Sequence, residues 1–408
     1  MNRPIAIYVH LPWCVSKCPY CDFNSHVRPA TLPEAEYVAA LLADLEGDLD
    51  LAAGREVASV FLGGGTPSLF TPDSIAALLD GLAARLPIAH DAEISMEANP
   101  GTVEHGRFAG YARAGINRVS LGAQSFDAAA LRRLGRIHGP GEIASAVAEL
   151  EAAGVDNFNL DLMYALPQQT REGARADLEA ALALGPAHLS RYQLTLEPGT
   201  AFHGRPPLLP DDELAFAMQE DGDARLAAAG FDQYEVSAYA RPGRKCRHNL
   251  TYWRFGDYLG LGAGAHGKLT VDGAVIRTEK PRSPRAYLAG GGRIGALRRM
   301  VPAAELPFEF MLNALRLTDG FGLDEFERAT GLPAGVVAPR LAELASRGLL
   351  GIEGGRCRPS SLGFRFLNDL IGAFLPGENG RRTPAELYTA PGRGVSDKDF
   401  HDFVSEVR

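Results

Sequence analysis

What this sequence has little of narrows its class first. Five cysteines in 408 residues are too few, and too unevenly placed, for the disulfide framework of a small secreted domain, so a reducing compartment is expected. No stretch approaches the ~20 apolar residues that span a bilayer. The N-terminus opens directly on a strand-like run, without the basic and apolar blocks of a secretion signal. A net charge of −9 leaves no basic surplus for a phosphate backbone, which argues against nucleic acid as a general partner. A cytoplasmic protein of two or three domains is the expectation.

Three of the five cysteines stand together. Cys14, Cys18 and Cys21 follow a short apolar run, Ile5 to Val9, in a C-x3-C-x2-C spacing. Thiolates this close in sequence can turn inward on one soft metal centre. Three ligands fall one short of the four that a structural zinc or a [4Fe–4S] cluster normally takes. No second Cys/His pair is obvious to complete a zinc site, whereas a cubane can leave one iron open to a small ligand. A partial zinc site and a chance grouping of buried thiols are the alternatives. The spacing resembles the cluster motif of radical S-adenosylmethionine (SAM) enzymes, which implies that SAM chelates the open iron.

Downstream, apolar strand-like runs alternate with amphipathic helical segments. The runs lie at 57–62, 92–98, 118–124, 157–165 and 188–196; the helices lie at 33–53, 72–85, 103–114, 141–153 and 171–184. Such alternation predicts an α/β fold with a parallel sheet wound by crossover helices. Six strands are too few for a closed eight-stranded barrel, so a partial (β/α)6 barrel over residues 1–203 is expected. Residues 204–300 read as a Gly- and aromatic-rich extension that includes a helix at 212–228 and a Gly-rich turn at 290–296. Residues 301–376 read as a smaller C-terminal α/β, winged-helix-like region, with helices at 323–330 and 335–347 and a strand pair around 349–358; a plain helical packing domain is the other reading. Residues 377–408 are polar and aperiodic, the pattern of a disordered tail.

In parallel α/β sheets, ligands gather at the carboxyl ends of strands, and the polar motifs fall there. Gly63, Gly64, Gly65, Thr66 and Pro67 follow the second strand, where glycines let backbone approach a ligand. Glu97 ends the third, with a carboxylate suited to a ribose diol. Gln124 ends the fourth, with an amide that both donates and accepts. Arg136 follows it and can pair with a carboxylate. Asp161 sits inside an apolar run that would not bury a charge without a partner. Singly, each reads as a satisfied structural group; together, on successive strand ends, they read as a binding site.

This ordered set resembles the oxygen-independent coproporphyrinogen III oxidase family of radical SAM proteins over about residues 4–375. The resemblance implies a SAM-ligated [4Fe–4S] cluster on Cys14, Cys18 and Cys21, with SAM held by Gly64, Gly65, Thr66, Glu97, Gln124, Arg136 and Asp161. It also implies that Tyr8 and Tyr20 line the SAM pocket and that Thr195 lies near the adenine. True oxidases of the family carry a Cys-Gly-Cys here and an N-terminal extension. This chain has Asp22 and Phe23 after Cys21, and Cys14 comes almost at once. Both departures argue against the decarboxylase, and the segment from Cys21 to Ser25 resembles the HemW-type haem chaperones, the non-oxidase branch. Cys246, His248, Asn249, Tyr252 and Trp253 resemble that branch's His-Asn-x-x-Tyr-Trp motif, with His248 offered to haem iron and the two aromatics to the macrocycle. Cys246, His266 and His203 are further candidates. The implied function is a haem chaperone that delivers to respiratory haemoproteins at the membrane surface, with homodimerisation one use of the cluster. The alternative is oxidative decarboxylation of coproporphyrinogen III through a 5′-deoxyadenosyl radical.

Overall fold

The computed structural model describes residues 3–101, 106–293 and 297–376. Within them one twelve-stranded sheet organises the chain. Its centre is six strands in chain order, each parallel to the next: β1 (Ile5–Leu11), β2 (Val57–Gly64), β3 (Ile88–Ala98), β4 (Arg118–Gln124), β5 (Phe158–Tyr164) and β6 (His188–Gln193). These strands read as near-continuous apolar runs because most are covered on both faces; in β1 every residue but Tyr8 is buried.

Helices between them begin where side chains satisfy the free N–H groups. The Thr71 hydroxyl accepts from Ser74 ahead of Pro72–Ala83, Thr170 caps Arg171–Ala183, and Asp211 accepts from Leu214 at 2.8 Å ahead of Asp212–Ala228. The helix expected at 103–114 is observed as Phe108–Ala114; residues 102–105 lie outside the described set, as do 294–296 of the Gly-rich turn and the tail at 377–408.

The sheet does not stop at six strands. Residues 204–300 extend both of its edges through β7 (Asp232–Gln233), β8 (Ala238–Ala240), β9 (Tyr258–Leu261), β10 (His266–Val271), β11 (Ala274–Glu279) and β12 (Leu297–Met300), giving the order β12-β11-β10-β9-β1-β2-β3-β4-β5-β6-β8-β7. β9 runs parallel to β1, with Ala6 opposite Tyr258; β8 runs antiparallel to β6. Leu226, Phe231, Tyr239, Leu259, Leu261 and Leu269 join the same apolar core as β1–β6. This region is therefore built into the barrel sheet.

A second core holds residues 301–374. It combines the helices Leu306–Ala314, Leu323–Thr330 and Ala338–Ser346 with a three-stranded antiparallel sheet of Phe321–Gly322, Leu350–Glu353 and Arg356–Pro359. The two longer strands match the pair read from sequence. Among the described residues no helix is long and apolar enough to cross a membrane.

Candidate active site at the carboxyl edge of the sheet

The cysteine loop leaves β1 and is closed at its neck by two short strands, Trp13–Cys14 and His26–Val27, which pair in parallel. Arg28 N–H donates to the Cys14 carbonyl at 2.9 Å, and Cys21 N–H donates to the Cys18 carbonyl at 3.1 Å. Asn24 anchors the loop: its Nδ2 donates to the carbonyls of Ala263 and Arg282, both at 2.9 Å. His10, bonded at 3.0 Å to both the Tyr8 hydroxyl and the Asn24 carbonyl, braces it from below. Burial lowers the His10 pKa to about 4, so the ring is neutral.

The glycine turn after β2 lies directly against this loop. Gly65 N–H donates to the Leu11 carbonyl at 2.9 Å and Thr66 N–H to the Trp13 carbonyl at 2.8 Å. Glycine is required here: a Cβ on Gly65 would stand 2.7 Å from backbone atoms of Pro12 and Trp13, and Gly64 has φ +106° with a Cβ position 2.4 Å from the His10 ring.

One closed chain of hydrogen bonds links two of the cysteines. Thr66 Oγ1 donates to Cys14 Sγ at 3.4 Å and accepts from Asn99 Nδ2 at 3.0 Å. Asn99 Oδ1 accepts from the Arg136 guanidinium, which also donates to the Gly122 carbonyl at 2.7 Å and reaches Cys18 Sγ at 3.8 Å. The third sulfur, Cys21 Sγ, lies 3.6 Å from Ser25 Oγ. Burial pushes the Cys14 thiol up to about 11 and raises Cys21 as well, and the three sulfurs act on one another electrostatically. Among the described residues no three His, Cys, Asp or Glu side chains converge on a single-ion position. The donor set is soft, close together and backed by a cation, which suits a multi-iron cluster needing three thiolates.

The remaining predicted residues surround the same space. Cys14, Gly64, Glu97, Gln124, Asp161 and Thr195 all line one cavity of about 1400 Å³, as do Cys18, Cys21, Gly65, Thr66, Arg136 and Tyr20. Gln124 adopts φ +66° where the β4–β5 register shifts, and Ala165, just past β5, has φ +55°. Left-handed backbone in such residues is costly and concentrates at ligand sites. Its Oε1 accepts from the Tyr192 hydroxyl at 2.9 Å. Thr195 donates to Glu197 at 2.7 Å. Asp161, half-buried in β5, is held by Ser120 at 3.1 Å and Asn159 at 2.7 Å. Tyr8 stands apart from this larger cavity; it lines a smaller interior space beside Glu97 and His248.

Glu97 accepts from Gly64 N–H at 3.1 Å. Burial, and then the nearby Asp161, push its pKa from 4.5 to about 8. The folded chain thus keeps a proton that the unfolded chain has lost above 4.5, so stability falls as pH rises through that window and levels off beyond about 8. Asp161 is raised too and acts in the same direction. Glu97→Gln should flatten the slope: relative to wild type its unfolding midpoint should gain more at about pH 8.5 than at about pH 5. An equal difference at both pH values would show that this carboxyl is not held protonated.

The haem motif is not placed as its sequence suggests. His248 lies in the helix Arg247–Trp253 and is 1% exposed. Its Nδ1 is 3.0 Å from Ser59 Oγ, its Nε2 is 2.7 Å from the Tyr252 hydroxyl, and its ring stacks on Phe61 at 5.1 Å. Burial lowers its pKa to about 3. Both nitrogens are therefore hydrogen-bonded within the barrel, and the ring borders the smaller space. Tyr252 packs edge-on against Tyr258 and lines the smaller space, while Trp253 lies under the Arg316 guanidinium at 4.4 Å and borders the larger cavity with Asn249. Cys246 is buried against Glu93, which also accepts from the N–H groups of Arg247 and His248 and so caps this short helix. His266 opens β10 inside the smaller space, and exposed His203 lies 3.1 Å from the Leu196 carbonyl. His248→Ala should lower the unfolding free energy by roughly 2–4 kcal/mol through a cavity and an orphaned Ser59–Tyr252 pair. Calorimetry and a haem titration check this together; an altered Soret band with no loss of stability would restore the ligand role.

Sequence reasoning assigned no part to His10, Asn24, Asn99 or Tyr192. Each lies beside a residue it did single out, and position at a strand end or within the cysteine loop was the available signal.

With this geometry described, three comparisons bear on it. The Radical SAM superfamily matches residues 8–181 and the HemN C-terminal domain matches residues 301–366. The chain is 51% identical to the Heme chaperone HemW of Escherichia coli (strain K12), over 91% of this chain and 98% of that protein. It is 36% identical to the mitochondrial Radical S-adenosyl methionine domain-containing protein 1 of Bos taurus, covering 92% and 88%. Among solved structures, the coproporphyrinogen III oxidase (HemN) from Escherichia coli superposes with TM-score 0.77 at 22% identity, covering 91% and 90%. That similarity speaks to the fold.

Proposed function

Because the chain belongs to the Heme chaperone HemW family of radical SAM proteins, we propose that it is a haem chaperone whose cysteine loop carries a [4Fe–4S] cluster and whose strand ends carry SAM. Cys14, Cys18 and Cys21 hold the cluster. Gly64, Gly65 and Thr66 offer backbone to the amino end of SAM, Arg136 pairs with its carboxylate, Glu97 meets the ribose, and Gln124, Asp161, Tyr20 and Thr195 complete the pocket. Tyr8 supports that pocket from behind through His10. The observation that carries this reading is the Cys14–Thr66–Asn99–Arg136–Cys18 chain, because it joins the cluster ligands to the group that would bind SAM. When bound, the cluster supplies a reducing iron site; this chain's own residues orient SAM against it and shield it from water.

The cargo is haem. Delivery is to respiratory haemoproteins met at the membrane surface from the cytoplasm, and the loaded protein acts as a homodimer. The competing activity is decarboxylation of coproporphyrinogen III. It is disfavoured by Asp22 and Phe23, which line the cavity where the oxidase pattern has Gly-Cys. The cluster-loaded protein, incubated without oxygen with SAM, a reductant and coproporphyrinogen III, should give no protoporphyrinogen, yet should pass haem to an apo-haemoprotein acceptor. Many turnovers of protoporphyrinogen would make it an oxidase.

A further inference from the structure

A haem chaperone must hold a large, flat cargo and then release it, and the cavity has a second half that SAM does not need. Its volume of about 1400 Å³ exceeds the roughly 300–1000 Å³ of a pocket for one small ligand. The cluster end is built from the cysteine loop and the strand ends. The other end is built from the helix Asp212–Ala228 and from residues 359–369 of the C-terminal region. This outer half mixes exposed apolar side chains with polar ones such as Glu220, Arg365 and Asp369. Eleven large hydrophobic side chains are exposed among the described residues, and five line this one cavity: Phe216, Leu362 and Phe366 in its outer half, Phe23 and Ile137 at its cluster end. Exposed apolar side chains gathered on a concave rim mark a ligand surface more often than chance scatter.

Charge is placed among them. The Arg365 guanidinium lies over the Phe216 ring at 4.8 Å and pairs with Glu220 at 3.2 Å. Both partners of that pair are more than half exposed, so exchanging one carboxylate for another costs little. A planar guanidinium offers two parallel donors to a carboxylate.

We propose that this outer rim, through Phe216, Leu362, Phe366 and Arg365, is where haem is held, and that the His248 motif is not. The inference rests on the haem-chaperone reading. Haem is a flat apolar macrocycle with two carboxylate arms on one edge. The aromatic and aliphatic side chains cover its face, and Arg365 exchanges Glu220 for one of its carboxylates. Among the described residues the histidine in the cavity lining is His138, which is 4% exposed and lies 3.2 Å from the Ala123 carbonyl, so the rim contributes faces and a cation, not an imidazole. Cargo held by face contacts and one exchangeable ion pair leaves readily, as a carrier requires.

The test is a haemin titration of the cluster-loaded, SAM-bound full chain, followed at the Soret band. The double variant Leu362→Asp/Phe366→Asp changes two exposed positions. It should bind haemin at least roughly tenfold more weakly, with iron content and SAM affinity unchanged. Arg365→Gln should weaken haemin by a few-fold, yet leave haemin dimethyl ester, which lacks the anionic arms, bound as in wild type. A double variant that binds like wild type overturns the site. An Arg365→Gln variant that loses both ligands equally, or neither, overturns the carboxylate contact. Wild type that binds no haemin at all removes the chaperone reading and this site with it.

Discussion

Serine in place of Cys14, Cys18 or Cys21, one position at a time, will abolish the broad visible absorbance of the cluster and its iron and sulfide. A serine hydroxyl keeps its proton at neutral pH, whereas each iron needs an anionic sulfur. The loss has a second route at two positions. Thr66 Oγ1 donates to Cys14 and Arg136 donates to Cys18, so weakening either acceptor disturbs the chain through Asn99 that positions the Arg136 guanidinium. Cys357→Ser is the control, since that thiol is fully buried in the second core, away from the loop. Iron and sulfide analysis decides: full retention in all three variants would end the cluster assignment.

Asp257→Asn will cost about 3–5 kcal/mol of unfolding free energy. Asp257 sits between two buried cations, Arg55 at 2.6 Å and Lys268 at 2.8 Å, and accepts from Thr270 N–H at 2.8 Å and its hydroxyl at 3.0 Å. Asparagine preserves the shape and strands both cations. Burial alone would raise this carboxyl, but Lys268 and the Arg55 hydrogen bond overcome it and hold the pKa at about 2. A depressed carboxyl contributes stability that is complete above its ordinary value of 3.8 and is lost as pH falls through about 2. The gap between variant and wild type should therefore be full at neutral pH and close in acid. Denaturant unfolding at two pH values measures it; a neutral-pH cost below about 1 kcal/mol would mean that the cations find other partners.

Asp257 also shows what the sequence could and could not carry. β1 to β6 were legible because strands covered on both faces read as apolar runs, and their helices because amphipathic segments alternate with those runs. The strand-end placement of Gly64, Glu97 and Gln124 followed from the same pattern. β8 and β9 were not legible: three or four residues carry no period, and their pairing with β6 and β1 is decided by tertiary contact. The surroundings of His248 were hidden for a related reason. A histidine beside aromatics has the chemistry of a haem ligand, and only the positions of Ser59 and Phe61 on β2 show that it faces inward. Nor does spacing reveal that Asn99 joins Thr66 to Arg136, because that contact spans three strand ends.

The pairing of β9 with β1 sets an order of events during synthesis. β1 leaves the ribosome well before residues 258–261, for which one of its edges waits. The cysteine loop waits longer, because the Asn24 side chain that steadies it needs the carbonyls of Ala263 and Arg282. Contacts so distant along the chain form late. Until residue 282 has been made, then, the three cysteines sit on a loop without its brace.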